Sequence, residues 1–590
     1  HLATLYLEDV SDLIAALLDP YFGFSRYAER IAQAATSFDV LYNAMQEELS
    51  FTDEILIGIL EKKIDTISPD VICLSVPFPG NLYGALRCGQ WIKTHHPHIK
   101  VLMGGGYPNT ELRSISDERF FQFVDFLTLD DGEAPLANLF EYFSGERPLS
   151  KLKRTFTIVG GVVQYINGSE FLDVAQRDVG TPDYSDFRLG DYLSVIEIAN
   201  PMHRLWSDGR WNKLTLAHGC YWGKCSFCDV TLDYIKRYEP ITASILVDRM
   251  ETIIEQTGQH GFHFVDEAAP PALMRDVALE IINRGLTVTW WTNIRFEQSF
   301  TADLCRLLSE SGCIAVSGGL EVASDRLLSL MQKGVTVAQV ARVSQHFTQS
   351  DIMVHAYLMY GFPTQTAQET IDALEMVRQL IEVGVIQSGF WHLFTMTAHS
   401  PVGLAPADYQ VVASGPEQGS FANNDLYHED PKGTDHELFS AGLKKSLFNY
   451  MHGIGLDFDL QDWFEHEVPE STVDVDFIIT ALESTDDQKL KSHNKCVWLG
   501  GIPDLHSTAE DEESAELVFH NKKESWSIEL PNELAEWLLS QLKQMNTDYR
   551  QLYTIQQLSN SFEAHELGTF DEFYNSEVWD YLKSTGLIIL

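Results

Sequence analysis

Between residues 214 and 402 the sequence repeats one pattern: a short apolar run ending in a polar or charged residue, then a helical stretch. The runs are LTLAHGC, GFHFVDE, TVTWWTN, IAVSGGLE, IMVHAYLMYGFP and VIQSGFWHLFTM. Uninterrupted apolar strands alternating with helices specify a parallel sheet covered on both faces. The number of runs falls short of the eight of a closed barrel, so the pattern predicts a partial (β/α)6 barrel of TIM type. Sites in such barrels collect at the carboxyl ends of the strands. The residues at those ends are Cys220, Asp266, Glu267, Asn293, Arg295, Glu321, Tyr360 and Gly361. Any one of them alone is more often a structural ion pair or turn residue; their shared position is the signal.

A second, shorter alternation precedes it. DVICLSV, KVLMGGGYPN and VDFLTLDDGEAPLANLFEYF read as strands followed by turns and helices, giving a Rossmann-like α/β domain over 1–150. Ligands of such sheets lie beyond the carboxyl ends of the strands. The loops there carry Ser75, Pro77 and Asn81, then Gly104, Gly105, Gly106 and Tyr107, then Asp131, Gly132 and Glu133. Glycines at these places let backbone approach a large flat ligand. Upstream, TLYLEDV is the first candidate strand and the rest of 1–60 is helical by periodicity; Cys73 falls in an expected core strand. Residues 151–210 form a bridge with one hairpin, IVGGVVQYINGSE. The barrel occupies 211–402 and a capping or substrate domain 403–590. In the last, 405–435 has the polar, Pro/Gly/Asp-rich composition of a linker or lid, followed by a helical region with Trp463 and Phe464. The end reads as an α+β unit of three strands (KCVWLGG, AELVFH, ESWSIEL) and three helices, like a winged helix.

The first barrel strand runs straight into HGCYWGKCSFCD, which holds Cys220, Cys225 and Cys228. Iron–sulfur clusters are ordinarily held by four thiolates; three thiolates followed by an aspartate leave one iron free for chemistry. The same residues admit a structural zinc completed by His218, since Cys3His is an ordinary zinc set, or three buried thiols with no metal. The strand context and the aromatic bulk of Tyr221, Trp222 and Phe227 favour a shielded cluster.

With these motifs in this order, residues 60–402 resemble the radical SAM superfamily, and within it the cobalamin-binding (B12) branch. The spacing here is C-x4-C-x2-C where the family has C-x3-C-x2-C, with Gly223 or Lys224 as the extra residue. The resemblance implies a [4Fe–4S] cluster on Cys220, Cys225 and Cys228, S-adenosylmethionine on its open iron, and cobalamin on the loops of the first domain. It assigns Asp266 or Glu267 to the amino group of the sulfonium, Arg295 to its carboxylate, Glu321 to its ribose and the stretch around Tyr360 and Gly361 to its adenine, with Asn293, Tyr221 and Phe227 beside them. The D-x-H-x-x-G motif that supplies a cobalt ligand elsewhere is absent, and His95, His96 and His98 read as surface residues, so no histidine of this chain is expected on cobalt. The implied activity is C-methylation of an unactivated carbon through a 5′-deoxyadenosyl radical. Cyclisation or rearrangement with cobalamin as redox partner is the alternative within enzymes, and a zinc-bearing binding protein the alternative outside them. An external electron donor of flavodoxin or ferredoxin type is implied, with a small-molecule or peptide substrate. The C-terminal unit loosely resembles the recognition element found with enzymes that modify ribosomal peptides.

Composition sets outer limits. A chain of 590 residues with net charge −44 is too long for one core and too acidic to bind nucleic-acid backbones, which need clustered Lys and Arg. The basic run RPLSKLKR marks a domain boundary. No apolar run reaches the roughly 18 residues of a membrane span, and the eight cysteines show no disulfide pattern, so a reduced, cytoplasmic setting is expected. The chain opens with His1 rather than Met, and an upstream extension or a trimmed start is expected.

Overall fold

In the computed structural model the described residues are 2–23, 36–191, 211–415, 419–484, 490–507, 513–520 and 525–590. The first sheet has five strands in the order β1 (Val71–Ser75), β2 (Lys100–Gly104), β3 (Phe126–Thr128), β4 (Thr155–Val159) and β5 (Val162–Ile166). β1, β2 and β3 are parallel, as right-handed strand–helix–strand units require. β4 and β5 add an antiparallel hairpin. The first domain therefore runs to residue 166, and the hairpin expected in a bridge belongs to its sheet. Cys73 is exposed, because β1 is an edge strand with one face open. TLYLEDV is helical, within Leu2–Leu17, since its apolar residues fall at helical rather than alternating spacing. The aromatic stretch DPYFGFSRYAERI, within the part of 1–60 expected to be helical, lies partly outside the described residues.

The second sheet contains six parallel strands: β6 (Asn212–Leu214), then, after two short paired segments β7 (Ala217–His218) and β8 (Glu239–Pro240), β9 (Gly261–Phe264), β10 (Thr289–Ile294), β11 (Cys313–Glu321), β12 (Met353–Tyr360) and β13 (Ser388–Leu393). Their spatial order follows the sequence, with β6 and β13 at the open edges, which is the partial barrel that the repeats predict. Phe262 and Phe264 are fully buried against the outer helices. Alternation along the strands then turns His263, Trp291, Asn293, Tyr357 and His392 inward.

The barrel body does not end at 402. Helix Glu437–Tyr450 packs on β13, and Phe439, Leu443, Tyr450, Trp463, Phe464 and Ile478 join the barrel's own core. Nor is 405–435 a free linker or lid. Asp425–Leu426 pairs with Met396–Thr397 at the end of the barrel, and a few residues earlier Phe421 sits fully buried in the first domain's core. Its ring is 4.8 Å from that of Phe38 and 6.0 Å from that of Phe120. The carbonyl of Ser420 accepts from the amides of Ser116 and Asp117. This stretch is a strap joining barrel to first domain, with Tyr409 buried in the barrel core and Phe421 in that of the first domain.

The C-terminal unit is α+β, with a different pairing from that expected. Lys495–Trp498 pairs with Leu587–Ile589 and Tyr553–Thr554 in one sheet, while Asp504–Ser507, Ser514–His520 and Ser525–Pro531 form another. KCVWLGG is thus separated from the other two expected strands. Among the described residues no helix is long and apolar enough to cross a membrane.

Candidate active site

The cluster loop is held open by its backbone. The amide of Cys220 donates to Ile235 O and that of Ser226 to Met331 O, so the loop is pinned on both flanks. The extra residue of the C-x4-C spacing is taken up around Gly223, which has φ +56°. Cys220, Cys225 and Cys228 all line one cavity of about 400 Å³ at the carboxyl ends of the barrel strands.

The donor set fits a cluster better than zinc. Sulfurs on a single tetrahedral zinc stand roughly 4 Å apart, given a Zn–S bond of about 2.3 Å; these three do not all come within 4.8 Å of one another. His218 is unavailable as a fourth ligand. Its Nδ1 lies 2.8 Å from Arg237 O and its Nε2 3.1 Å from Asp131 Oδ1, so it faces the first domain.

Cations surround the thiolates. Arg295 Nη1 is 3.7 Å from Cys225 Sγ, and its guanidinium lies over the Trp222 ring at 4.2 Å. Lys333, almost fully buried, bonds Glu321 Oε1 at 2.6 Å and sits over the ring of Phe227 at 5.6 Å. A hydrogen bond from Cys228, with the charges of Lys333 and Arg295, holds the Cys225 thiol below the ordinary range despite burial. Thiolates are the metal-ligating form.

The residues expected around the sulfonium divide. Glu267, Asn293, Arg295, Glu321 and Phe227 line the cavity with the cysteines. Asn293 Oδ1 is a buried acceptor without a partner, while its Nδ2 donates to Asp266 O at 3.0 Å; that open acceptor fits an amino or hydroxyl group of the sulfonium ligand. Glu267 opens into the cavity, and burial pushes its carboxyl up.

Four expectations change. Asp266 faces the fold: both its oxygens accept backbone amides, from Leu216 at 2.9 Å and Ala217 at 2.8 Å, which tie β9 to the strand leading into the cluster loop. Arg295 is committed to Glu297, Cys225 and the Lys333 carbonyl, so it braces the thiolate instead of waiting for a carboxylate. Tyr360 is buried against the outer layer, and Gly361 is hemmed in by Leu393 and His436, so neither meets the cavity. Tyr221 donates to Glu297 on the loop's outer side.

Lys333, Tyr357 and His392 line the cavity without having been expected. Tyr357 and His392 were legible from the two-residue period of β12 and β13. Lys333 lies in a loop, reached through Gln332 and Gly334 at positive φ, and no strand pattern announces it. Gly334 is required there: a Cβ would lie 2.5 Å from the Trp222 ring.

On the first domain, Ser75, Pro77 and Asn81 are exposed at the carboxyl end of the sheet, forming an open shelf with Gly104, Gly106 and Glu133. The triple glycine, however, serves packing. A Cβ on Gly105 would come 2.8 Å from the Val76 backbone, one on Gly106 2.7 Å from Pro77 O, and one on Gly104 2.9 Å from Thr128 Oγ1. Tyr107 is buried beneath the shelf with its hydroxyl unpaired. Asp131 leaves the shelf for the barrel, meeting His218 and Arg237, while Gly132 precedes the helix Glu133–Phe143. His95, His96 and His98 lie between the helix Pro79–His95 and the amino end of β2, at the opposite edge of the sheet.

Residues 214–377 match the radical SAM superfamily. The match spans the barrel strands from Gly261–Phe264 through Met353–Tyr360. A domain of this kind makes the chain an enzyme, and its first domain and barrel have a fold like that of two solved radical SAM enzymes. A radical SAM methyltransferase, TsrM, from Kitasatospora setae, solved with tryptophan and a SAM analogue, superposes with a TM-score of 0.50 at 16% identity, covering 66% of this chain and 80% of that one. OxsB, a cobalamin-dependent radical enzyme solved with aqua-cobalamin and S-adenosylmethionine, gives 0.50 at 15% identity, with 72% of each chain covered. Among curated sequences, an uncharacterized methyltransferase of Pyrococcus horikoshii is 22% identical over 58% of this chain and 69% of its own length. The anaerobic magnesium-protoporphyrin IX monomethyl ester cyclase of Rubrivivax gelatinosus is 24% identical over 58% of this chain and 59% of its own length.

Proposed function

We propose that this enzyme is a cobalamin-dependent radical SAM methyltransferase that adds a methyl group to an unactivated carbon. The observation carrying the reading is the meeting of two carboxyl-end surfaces. The barrel's three-thiolate loop and the shelf of the first sheet are joined directly, by Asp131 on His218 and Arg237. Bound there, the cluster with S-adenosylmethionine would supply a carbon-centred radical and the corrin a methyl group.

The chain's own residues then have distinct tasks. Cys220, Cys225 and Cys228 hold the cluster, with Arg295 and Lys333 offsetting the charge of the thiolates. Glu267 and Asn293 accept from the amino group of the sulfonium, and Glu321, steadied by Lys333, from its ribose. The exposed loops at Ser75–Asn81 and Gly104–Gly106 receive the corrin face, with no histidine from this chain on the metal. The aromatic walls exclude water, and an external one-electron donor completes the set.

Metal content after anaerobic purification tests the reading: roughly four irons and one cobalt per chain are expected. Cys225→Ala is expected to lose both iron and S-adenosylmethionine cleavage; full activity in that variant would refute the cluster. Product mass then separates the chemistries. A gain of one methyl supports transfer, whereas loss of hydrogen or an unchanged mass supports the cyclase or rearrangement reading.

A further inference from the structure

A second cavity lies away from the cluster. It measures about 960 Å³ and lies on the barrel's flank, in the seam with the C-terminal unit, at the upper end of the volumes that hold bound ligands. One wall is the start of the helices Pro271–Asn283 and Ala302–Glu310; the other is formed by residues 490–494 and the segment from Tyr574 to Leu590. The seam is firmly built. Lys583 pairs with Asp303, Ile589 N donates to the same carboxylate at 2.9 Å, and Arg306 caps the carbonyls of Lys583 and Ser584.

The charge of this cavity runs against that of the molecule. The chain has 85 acidic and 41 basic residues, yet the lining holds Arg275, Lys491 and Lys583 against Asp303 alone. Asp303 is already neutralised by Lys583. Among the described residues Lys491 is exposed and has no carboxylate partner, and Arg275 pairs with Asp276 beside it in sequence. The first turns of the two helices add partial positive charge. Between the cations lie Leu490, Tyr574 and Leu590, an apolar floor.

Position links the cavity to the cluster. Gln298 and Ser299 on its rim follow Arg295 and Glu297, the residues that hold Cys225 and Tyr221. Gln298 is three steps along the chain from Arg295, at most about 11 Å. The rim of the seam and the residues bracing the cluster loop are therefore neighbours on one stretch of chain.

We infer that this seam is a docking site for an acidic, partly apolar stretch of polypeptide, which anchors a substrate whose reacting residue enters the cluster cavity. The anchoring role, though not the binding itself, rests on the reading above. Carboxylates of the peptide meet Arg275 and Lys491, and its apolar side chains lie on Leu490 and Tyr574.

The test is fluorescence anisotropy with the full chain and a labelled twelve-residue peptide of alternating Glu and Leu, against its Lys/Leu counterpart. The acidic peptide is expected to bind, against the repulsion of the whole molecule. Lys491→Glu combined with Arg275→Gln should weaken it about tenfold or more, as loss of paired charges does. Lys491→Glu alone should weaken it in the same direction with the melting temperature unchanged, because Lys491 is exposed. Preference for the basic peptide, or binding indifferent to both variants, would overturn the proposal. So would glutarate displacing the peptide at equal concentration, which would assign the site to free carboxylates. S-adenosylmethionine cleavage without peptide tests the enzymatic reading separately, so failure of one leaves the other legible.

Discussion

At the scale of single residues, the cluster cavity depends on one buried ion pair. Lys333 and Glu321 are both nearly inaccessible and 2.6 Å apart. Removing one partner of a buried pair strands the other charge, which costs about 3–5 kcal/mol. Lys333→Met is therefore expected to destabilise the barrel by about that much in urea unfolding of the metal-free protein. The double variant Lys333→Met/Glu321→Gln should recover much of the loss, because no uncompensated charge remains. Equal destabilisation in single and double variants would mean that packing of the Lys333 stem on Phe227, rather than charge, is what matters.

At the scale of elements, the strap is the part that composition hides. Phe421 is its anchor, and Phe421→Ala should cost about 3–5 kcal/mol, as buried Phe truncations do. The expected signature is protease cleavage within 405–435 before the barrel unfolds; cleavage unchanged from wild type would show that the anchor is dispensable. The strap also carries a pH dependence. Glu111 faces it, near Asn424 and Asp425 and close to Tyr107, and its carboxyl is pushed up to about 7 by burial and by Asp425. A carboxyl raised in the folded state stabilises fully below its ordinary value of 4.5 and loses that contribution as pH rises through about 7. Strap docking should thus weaken between about pH 5 and pH 8. Glu111→Gln, which cannot ionise, should flatten that change in proteolysis rate; a variant as pH-sensitive as wild type would place the titration elsewhere.

The same element shows what the sequence could and could not disclose. Five of the six barrel strands were legible as apolar runs, and the cavity residues Glu267, Asn293 and Glu321 because they end such runs. The first strand, Asn212–Leu214, ends where the run LTLAHGC that was read for it begins, and Ala217–His218 of that run pairs instead with Glu239–Pro240. Asp266 and Glu267 stayed alternatives because a strand end offers adjacent polar residues, and only the backbone shows which one turns inward. Arg295 does reach the cavity, but its partners Glu297, Cys225 and the Lys333 carbonyl are not visible in the sequence. Gly105 was read as room for a ligand, whereas Val76 already fills that room. Phe421 and Lys333 gave no signal, since each lies in an aperiodic loop whose partners are distant in sequence.

At the scale of the whole molecule, electrostatics acts in two opposite senses. The net charge of −44 makes the compact state repel itself, and salt screens such repulsion over a Debye length of about 10 Å at 0.1 M. Thermal stability should therefore rise as sodium chloride increases from about 10 to about 300 mM, across which range that length falls severalfold. The seam is positive within this negative field, so attraction there weakens under the same salt while global repulsion also weakens. Short-range pairs at Arg275 and Lys491 are the smaller in number but the closer in distance, so the local term governs peptide affinity and the global term governs stability. The two measurements should move in opposite directions with salt: melting temperature upward, acidic-peptide affinity downward. If both rise together, the seam is negative in effect, and the basic residues lining it are outweighed by the surrounding carboxylates.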